Sequence, residues 1–414
     1  MNKIDTTKRK LLEGKFIQSL RIIKHYKLQR FAKVPDKYIG WFCRTLWSHQ
    51  IDIDSEKIVF LSFNKQYTCN LKYICQEIIS RHQAYKLVWL IEPQSPISFT
   101  PFPACVKCVN LGSVEGYKEL LSAKIIIQNA HLYQEYSYIP KKRGQIIIQT
   151  WHGALGIKRF DPAHDSVKSR VRAARRAGNM TDFFFSNSTF ETQEVAPVFW
   201  KQSKIMEIGH ARNDILVNNN FNKIQSIKQS LLIPEKTKIV LYAPTFRDDK
   251  TKNPYSINYD TLVEMLEKKF GGTWLVIVKF HYSNRKNANQ IINGKNVLNV
   301  SNYNDIQELM LISDIGITDY SSWIFDFILT GKPAFLYAED IANYEIERGF
   351  YYPLNTTPFS IATNNDELIA NIISFDQKVY EKKVIDFLKE KGCVEKGIAS
   401  KASTDLIGKL MVSS

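Results

Sequence analysis

The sequence predicts two α/β domains, each a parallel sheet covered by helices on both faces. Three observations carry this expectation. Continuous apolar, β-branched runs alternate with helical runs, the pattern of strands buried on both sides. The 414 residues are too many for one ordinary core and suit two units of roughly 150–200 residues. The alternation is interrupted once, by the polar stretch NNNFNKIQSIKQS near residues 215–235, which divides residues 48–220 from residues 221–414.

Residues 1–47 stand apart from both domains. Lys8, Arg9 and Lys10 begin a series of basic residues, and Leu11, Leu12, Phe16, Leu20 and Ile23 fall between them. Several of these spacings are three and four, which predicts an amphipathic helix with a basic face. The segment closes on aromatic residues that include Trp41 and Trp47. Basic residues beside aromatic ones suit an anionic bilayer surface, and Lys8, Arg9, Lys10, Trp41 and Trp47 are the expected membrane contacts. A helix packed on the next domain with a solvated basic face would read the same way. No apolar leader follows the N-terminus, and no run of about 18 apolar residues occurs. The expectation is a protein kept in the cytoplasm, held peripherally at the inner face of the membrane.

The strands and helices follow in order. Residues 57–63 (KIVFLSF), 85–92 (YKLVWLIE), 105–113, 123–130 (AKIIIQNA), 144–151 (GQIIIQTW), 181–188 and 204–210 read as strands of the first domain, with helices at LKYICQEIISRH and EGYKELLSA. In the second domain the strands are 238–245 (KIVLYAPT), 273–281 (TWLVIVKFH), NVLNVS, 314–320 (DIGITDY) and KPAFLYAED. Helices lie at YDTLVEMLEKKF, DIQELMLIS and SSWIFDFILTG, and residues 364–412 read as terminal helices.

The net charge of +15 calls for an anionic partner: a phosphorylated substrate, an anionic membrane or nucleic acid. No RRM, KH or helix-turn-helix pattern is present, so nucleic acid is not expected. Cys105 and Cys108 form a CxxC, but no second pair or suitably spaced histidines lie nearby, so the six cysteines read as reduced thiols and no metal site is expected. There is no GxxxxGK[ST] phosphate loop and no GxSxG elbow.

Ligands of open α/β sheets bind beyond the carboxyl ends of the strands. Here those ends carry His152 and Gly153, then Arg212, Asn213 and Asp214, then Thr245, Arg247 and Asp248, then His281, then Thr318, Asp319, Ser321 and Ser322. Such a series suits phosphate binding and proton transfer. His152 and His281, one from each domain, are the candidates for proton transfer. Gly153 would let the backbone approach a ligand or take a positive φ. Arg212 and Arg247 can grip phosphate, or pair with Asp214 and Asp248. Ser321 and Ser322 open a helix, where hydroxyls and free N–H groups favour an anion, unless they are plain caps. The basic stretch VKSRVRAARR (167–176) can hold a polyanion or serve as a solvated face.

Six blocks together resemble the CDP-glycerol glycerophosphotransferases, a family that includes teichoic acid primases and polymerases and related capsule polymerases. They are QTWHG (149–153), FSNSTFE (185–191), GHARNDIL (209–216), VLYAPTFRDD (240–249), KFHY (279–282) and ISDIGITDYSSWIFDF (312–327). The resemblance covers roughly residues 55–375 and implies a GT-B fold, in which two Rossmann-like domains face each other across a cleft. It implies a CDP-glycerol or CDP-ribitol donor held mainly by the second domain, with no cofactor, and a lipid-linked or polymeric polyol-phosphate acceptor. His152 and His281 match the family's catalytic pair, either of which can be the base. Arg212, Ser321 and Ser322 match its phosphate-binding positions. Ala211 stands where the family usually has proline, and residues 154–158 depart from its usual sequence, a segment expected to bear on the acceptor. A GT-B glycosyltransferase using a nucleotide sugar is the alternative.

Overall fold

The apolar runs form parallel strands because they are covered on both sides. The structure, a computed structural model, describes residues 48–63, 65–92, 101–111, 113–130, 140–160, 168–245, 256–280 and 294–412. The basic segment 1–47, with Lys8, Arg9, Lys10, Trp41 and Trp47, lies outside the described residues, as do Arg247, Asp248 and His281.

The first domain runs β1 (Asp54–Leu61), α1 (Cys69–Ser80), β2 (Lys86–Ile91), β3 (Lys107–Asn110), α2 (Val114–Ser122), β4 (Ala123–Gln128), β5 (Ile146–Gln149), α3 (Lys168–Asn179), β6 (Phe183–Ser186), α4 (Ala196–Phe199) and β7 (Lys204–Glu207). Its strands lie in the order β3-β2-β1-β4-β5-β6-β7. Helices α5 (Asp214–Asn218) and α6 (Phe221–Ser230) lead to the second domain. There follow β8 (Lys238–Tyr242), α7 (Tyr259–Phe270), β9 (Trp274–Val278), β10 (Val297–Asn299), α8 (Ile306–Ile312), β11 (Ile315–Thr318), α9 (Trp323–Phe327), β12 (Ala334–Tyr337), α10 (Ile341–Arg348), β13 (Ser360–Ala362), α11 (Asn365–Ile373), α12 (Gln377–Glu390) and α13 (Ala399–Val412). The second sheet has the order β10-β9-β8-β11-β12-β13. All the paired strands are parallel. Both are doubly wound sheets whose strand order reverses once, at β1/β4 and at β8/β11. These reversals are where such sheets open a crevice for ligand.

Alternation along each strand feeds two cores. Ile58, Phe60, Ile125, Ile127 and Ile148 face one side of the first sheet, and Val59, Leu61, Ile126 and Ile147 face the other. Ile239, Leu241 and Leu336 are separated in the same way from Val240, Tyr242 and Tyr337 in the second sheet.

The last helix corrects the domain assignment. Residues 364–412 are helical as expected, but α13 does not stay with residues 221–414. The chain crosses back after α12, where Thr189 and Phe190 donate backbone N–H groups to the carbonyls of Gly392 and Lys391, both at 3.1 Å. Gly392 has φ +62, and a Cβ there would lie 2.4 Å from Thr189 Oγ1, so only glycine fits. Helix α13 then adds Ile407 and Met411 to the first domain's core. Asp214 caps this helix, accepting from the N–H groups of Ala399 at 2.8 Å and Ser400 at 2.7 Å.

A second exchange runs the other way. Ala154, Leu155 and Ile157, which follow the Trp-His-Gly corner, are buried in the core of the second domain. Arg159 donates its N–H to the Gly349 carbonyl, and Tyr351 to that of Ile157, both at 3.1 Å. The segment expected to bear on the acceptor is therefore an interdomain tie. Between α1 and α8, Lys72 Nζ meets Asp305 Oδ2 at 2.6 Å and Glu308 Oε1 at 2.8 Å, with all three side chains buried.

Candidate active site

Strand β5 delivers the chain into a sharp corner. Trp151 takes φ +51, a left-handed conformation that is costly for a bulky residue and persists only where neighbours enforce it. Its N–H donates to Gln149 Oε1 at 2.9 Å. Asn70, at the start of α1, donates through Nδ2 to the carbonyls of Thr150 at 2.8 Å and Trp151 at 3.1 Å. The indole packs against Phe160 and Trp200, with ring centroids 5.1 Å apart in each case. This geometry revises the role expected of Gly153. The left-handed residue is Trp151. Gly153 lacks a side chain because a Cβ would lie 2.5 Å from Trp151 Nε1.

His152 stands at the first domain's reversal point. Its Nδ1 lies 2.5 Å from the carbonyl oxygen of Asn129, which follows β4. A carbonyl only accepts, so Nδ1 carries the proton and the neutral ring keeps its lone pair on Nε2. Phe63, which follows β1, stacks on the ring with centroids 4.8 Å apart and planes at 21°. Phe63 is itself placed by its N–H, which donates to Asn129 Oδ1 at 2.9 Å. Trp151 lies against the ring at 4.4 Å, tilted by 43°. Burial pushes the imidazole pKa down to about 4, aided by the charges of Arg212 and Lys158 against the smaller pull of the Asn129 carbonyl. The residue nevertheless keeps some solvent exposure. It is therefore a neutral base at physiological pH, with one nitrogen committed to the protein.

Phe63 and Asn129 were not anticipated, although the strand-end rule reaches them. They follow β1 and β4, whose ends lack the titratable groups that draw attention. Asn70 and Asp326 were also missed. Asn70 falls just before the helical run LKYICQEIISRH and Asp326 inside SSWIFDFILTG, with nothing local to distinguish them.

Arg212, Asn213 and Asp214 are placed differently from expectation. Arg212 is 2% exposed and faces protein. Its Nε donates to Asp326 Oδ2 at 3.0 Å, its Nη1 to Cys69 Sγ at 3.5 Å, and its Nη2 to the Gly153 carbonyl. Its backbone N–H donates to Asn70 Oδ1 at 3.1 Å. Burial alone would lower the guanidinium's pKa, but the Asp326 carboxylate outweighs it and raises the pKa above the usual arginine value. Asn213 Nδ2 donates to Asp326 Oδ1 at 2.9 Å and to Glu395 Oε1 at 2.8 Å. Asp214 caps α13 and does not pair with Arg212. These three residues brace the Trp-His-Gly corner, the domain boundary and the last helix.

The second domain's reversal point forms the other wall. Thr245, after β8, donates its N–H to Asp319 Oδ1 at 2.8 Å, and Tyr320 N–H reaches the same oxygen at 2.6 Å. Thr318 Oγ1 donates to the Ala243 carbonyl at 2.7 Å, as does Trp323 Nε1 at 2.9 Å. Thr318 and Asp319 are buried supports of the wall. Ser321 and Ser322 are partly exposed at the start of α9. The Ser322 hydroxyl makes no capping bond to the helix, so plain N-capping does not explain it. Among the described residues no group of three or more His, Cys, Asp or Glu side chains could hold a metal, and no helix is long and apolar enough to cross a membrane.

The profile of the CDP-glycerol:poly(glycerophosphate) glycerophosphotransferase family matches residues 42–406. The chain belongs to this family. It is 31% identical to the teichoic acid poly(glycerol phosphate) polymerase of Staphylococcus epidermidis, over 99% of this chain and 58% of that protein. The Bacillus subtilis polymerase is 29% identical over 86% of this chain and 49% of its own length. The chain thus spans about half of these longer family members. The Bacillus spizizenii polymerase is matched more fully, at 30% identity over 83% of this chain and 90% of that protein. Among solved structures, the H444N variant of the wall teichoic acid polymerase TagF superposes with a TM-score of 0.78 at 28% identity, covering 99% of this chain and 98% of that one. The same variant has been solved after a soak with CDPG, and superposes with a TM-score of 0.77. The expected GT-B arrangement is thereby borne out.

Proposed function

We propose that the chain transfers glycerol phosphate from CDP-glycerol to a hydroxyl of a lipid-linked or polymeric polyol-phosphate acceptor, releasing CMP, in the synthesis of teichoic acid or a capsule-type polymer. The observation that carries this is His152, a neutral imidazole fixed in one tautomer at the reversal point of the acceptor-side sheet. Its Nε2 lone pair takes the proton as the acceptor hydroxyl attacks the β-phosphorus. The new P–O bond forms as the bond to the bridging oxygen breaks, and CMP departs with the electron pair. His281 would protonate or stabilise that leaving phosphate, a role resting on its place in the sequence motif. Ser321, Ser322 and the N–H groups at the start of α9 offer donors to the diphosphate, with Arg247 and Asp248 expected beside them. The basic residues 1–47 would hold the enzyme at the cytoplasmic face of the membrane, near a lipid-linked acceptor.

Product analysis by mass spectrometry tests the reading, with CDP-glycerol, CDP-ribitol and UDP-sugars each supplied beside a polyol-phosphate acceptor. CMP should be released from a CDP-polyol and extend the acceptor by one phosphodiester unit. Release of UDP alone would establish a glycosyltransferase instead. His152→Ala should lower turnover by about 10²–10⁴-fold, the usual worth of a general base.

A further inference from the structure

We propose that Asp326, in the donor-side domain, is a positioning residue for His152, acting through Arg212 across the domain boundary. The inference rests on His152 being the base. It starts from the carbonyls on either side of that residue. Those of Thr150 and Trp151 are held by Asn70 Nδ2, and that of Gly153 by Arg212 Nη2. The two holders are joined to each other, since the Arg212 N–H donates to Asn70 Oδ1. Both sides of the imidazole's own residue are thus fixed by one buried unit.

That unit is closed by a single carboxylate. Asp326 accepts from Arg212 Nε through one oxygen and from Asn213 Nδ2 through the other. Gln307, at the start of α8, places its amide oxygen 3.2 Å from Arg212 Nε, beside the same carboxylate. Asp326 lies in α9, the helix that Ser321 and Ser322 open. One short helix therefore presents the donor-side serines at its start and braces the base of the opposite domain a turn later. A guanidinium suits this task because its rigid fork reaches the carboxylate and the Gly153 carbonyl together, which a lysine ammonium on its flexible stem does not.

Two variants test this, each chosen to avoid stranding a lone buried charge. R212K keeps a cation opposite Asp326 but loses the fork to Gly153. R212Q/D326N removes both charges together. In each folded variant, kcat should fall by about 10²-fold, the scale of a displaced catalytic group, while KM for the CDP-polyol changes little. Removing the nearby cation in R212Q/D326N should also move the acid limb of kcat/KM upward. A folded R212K or R212Q/D326N enzyme with wild-type kcat would overturn the proposal, as would a loss confined to KM. His152→Ala separates the two readings: if that variant keeps its turnover, His152 is not the base, whatever Arg212 does.

Discussion

At His152, opposing effects decide what the ring can do. Burial and two nearby cations depress its pKa, and the hydrogen bond that Nδ1–H donates to the Asn129 carbonyl only partly offsets them. A base this weak gains from the substrate itself, because an arriving diphosphate raises the proton affinity of a neighbouring imidazole. The acid limb of kcat/KM, which reports the free enzyme, should therefore fall near pH 4, with the limb for kcat displaced upward. Coincident limbs in a pH–rate series would show that the donor's charge does not reach the ring. Glu395 carries the opposite shift, raised by burial to about 7. In the unfolded chain His152 binds its proton below its ordinary value of about 6.5, so its contribution to stability is present above that pH and is lost on acidification. Glu395 releases its proton earlier in the unfolded chain than in the folded one, so its contribution is lost as pH rises toward 7. Between pH 5 and 6 the two slopes oppose each other, each about 1.4 kcal/mol per unit at most. His152→Gln should unmask the Glu395 slope, so that the melting temperature falls from pH 5 to 7 more steeply than in the wild type.

At the scale of elements, helix α1 does more than cover a sheet. Its first turn supplies Asn70 to the Trp-His-Gly corner, and Lys72 reaches the carboxylates of α8. Asp305 serves twice there, capping α8 through Oδ1 to the Gln307 N–H at 3.1 Å and meeting Lys72 through Oδ2. The paired charges and the Tyr73 hydroxyl, at 3.0 Å from Asp305, satisfy groups that would be costly alone. Lys72→Met leaves the buried Asp305 carboxylate without a cation, and Glu308 with Lys223 alone at 3.0 Å, and should cost about 3–5 kcal/mol, read by denaturant unfolding. The triple variant Lys72→Met, Asp305→Asn, Glu308→Gln should recover most of that loss. An unchanged midpoint for the single variant would mean that the clasp contributes nothing. The strands and most helices were legible because their signal is periodic and local. The clasp was not, since Lys72 and Asp305 are 233 residues apart and each reads as an ordinary helical charge.

At the scale of the molecule, the two sheets and the strand ends that face ligand followed from the alternation of apolar runs and polar turns. The exchanges between domains did not, because an apolar segment does not announce which core will take it. Residues 154–157 read as loop yet lie in the second core, and α13 reads as a terminal helix yet completes the first. The exchange through α13 has a measurable weight: Ile407 and Met411 are buried, and each such side chain is worth roughly 1.5–3 kcal/mol. A chain ending at residue 398 should melt well below the full one and expose apolar surface to a dye such as ANS. A truncated chain with unchanged melting would mean that α13 is only an appendage. His152 itself was visible from sequence because a titratable residue after a strand is conspicuous. Its supports were not, because an asparagine or phenylalanine in that place is ordinary.

The burial of Leu155 and Ile157 in the second domain also bears on the order of events during synthesis. The first sheet leaves the ribosome before the strands that will receive these residues, and domains tend to fold as they emerge. The segment just past His152 then has no core to enter, and Arg212 has no Asp326. A half-made chain can own the histidine without owning an active site. On the proposed reading, the site is complete only when translation has passed the second sheet.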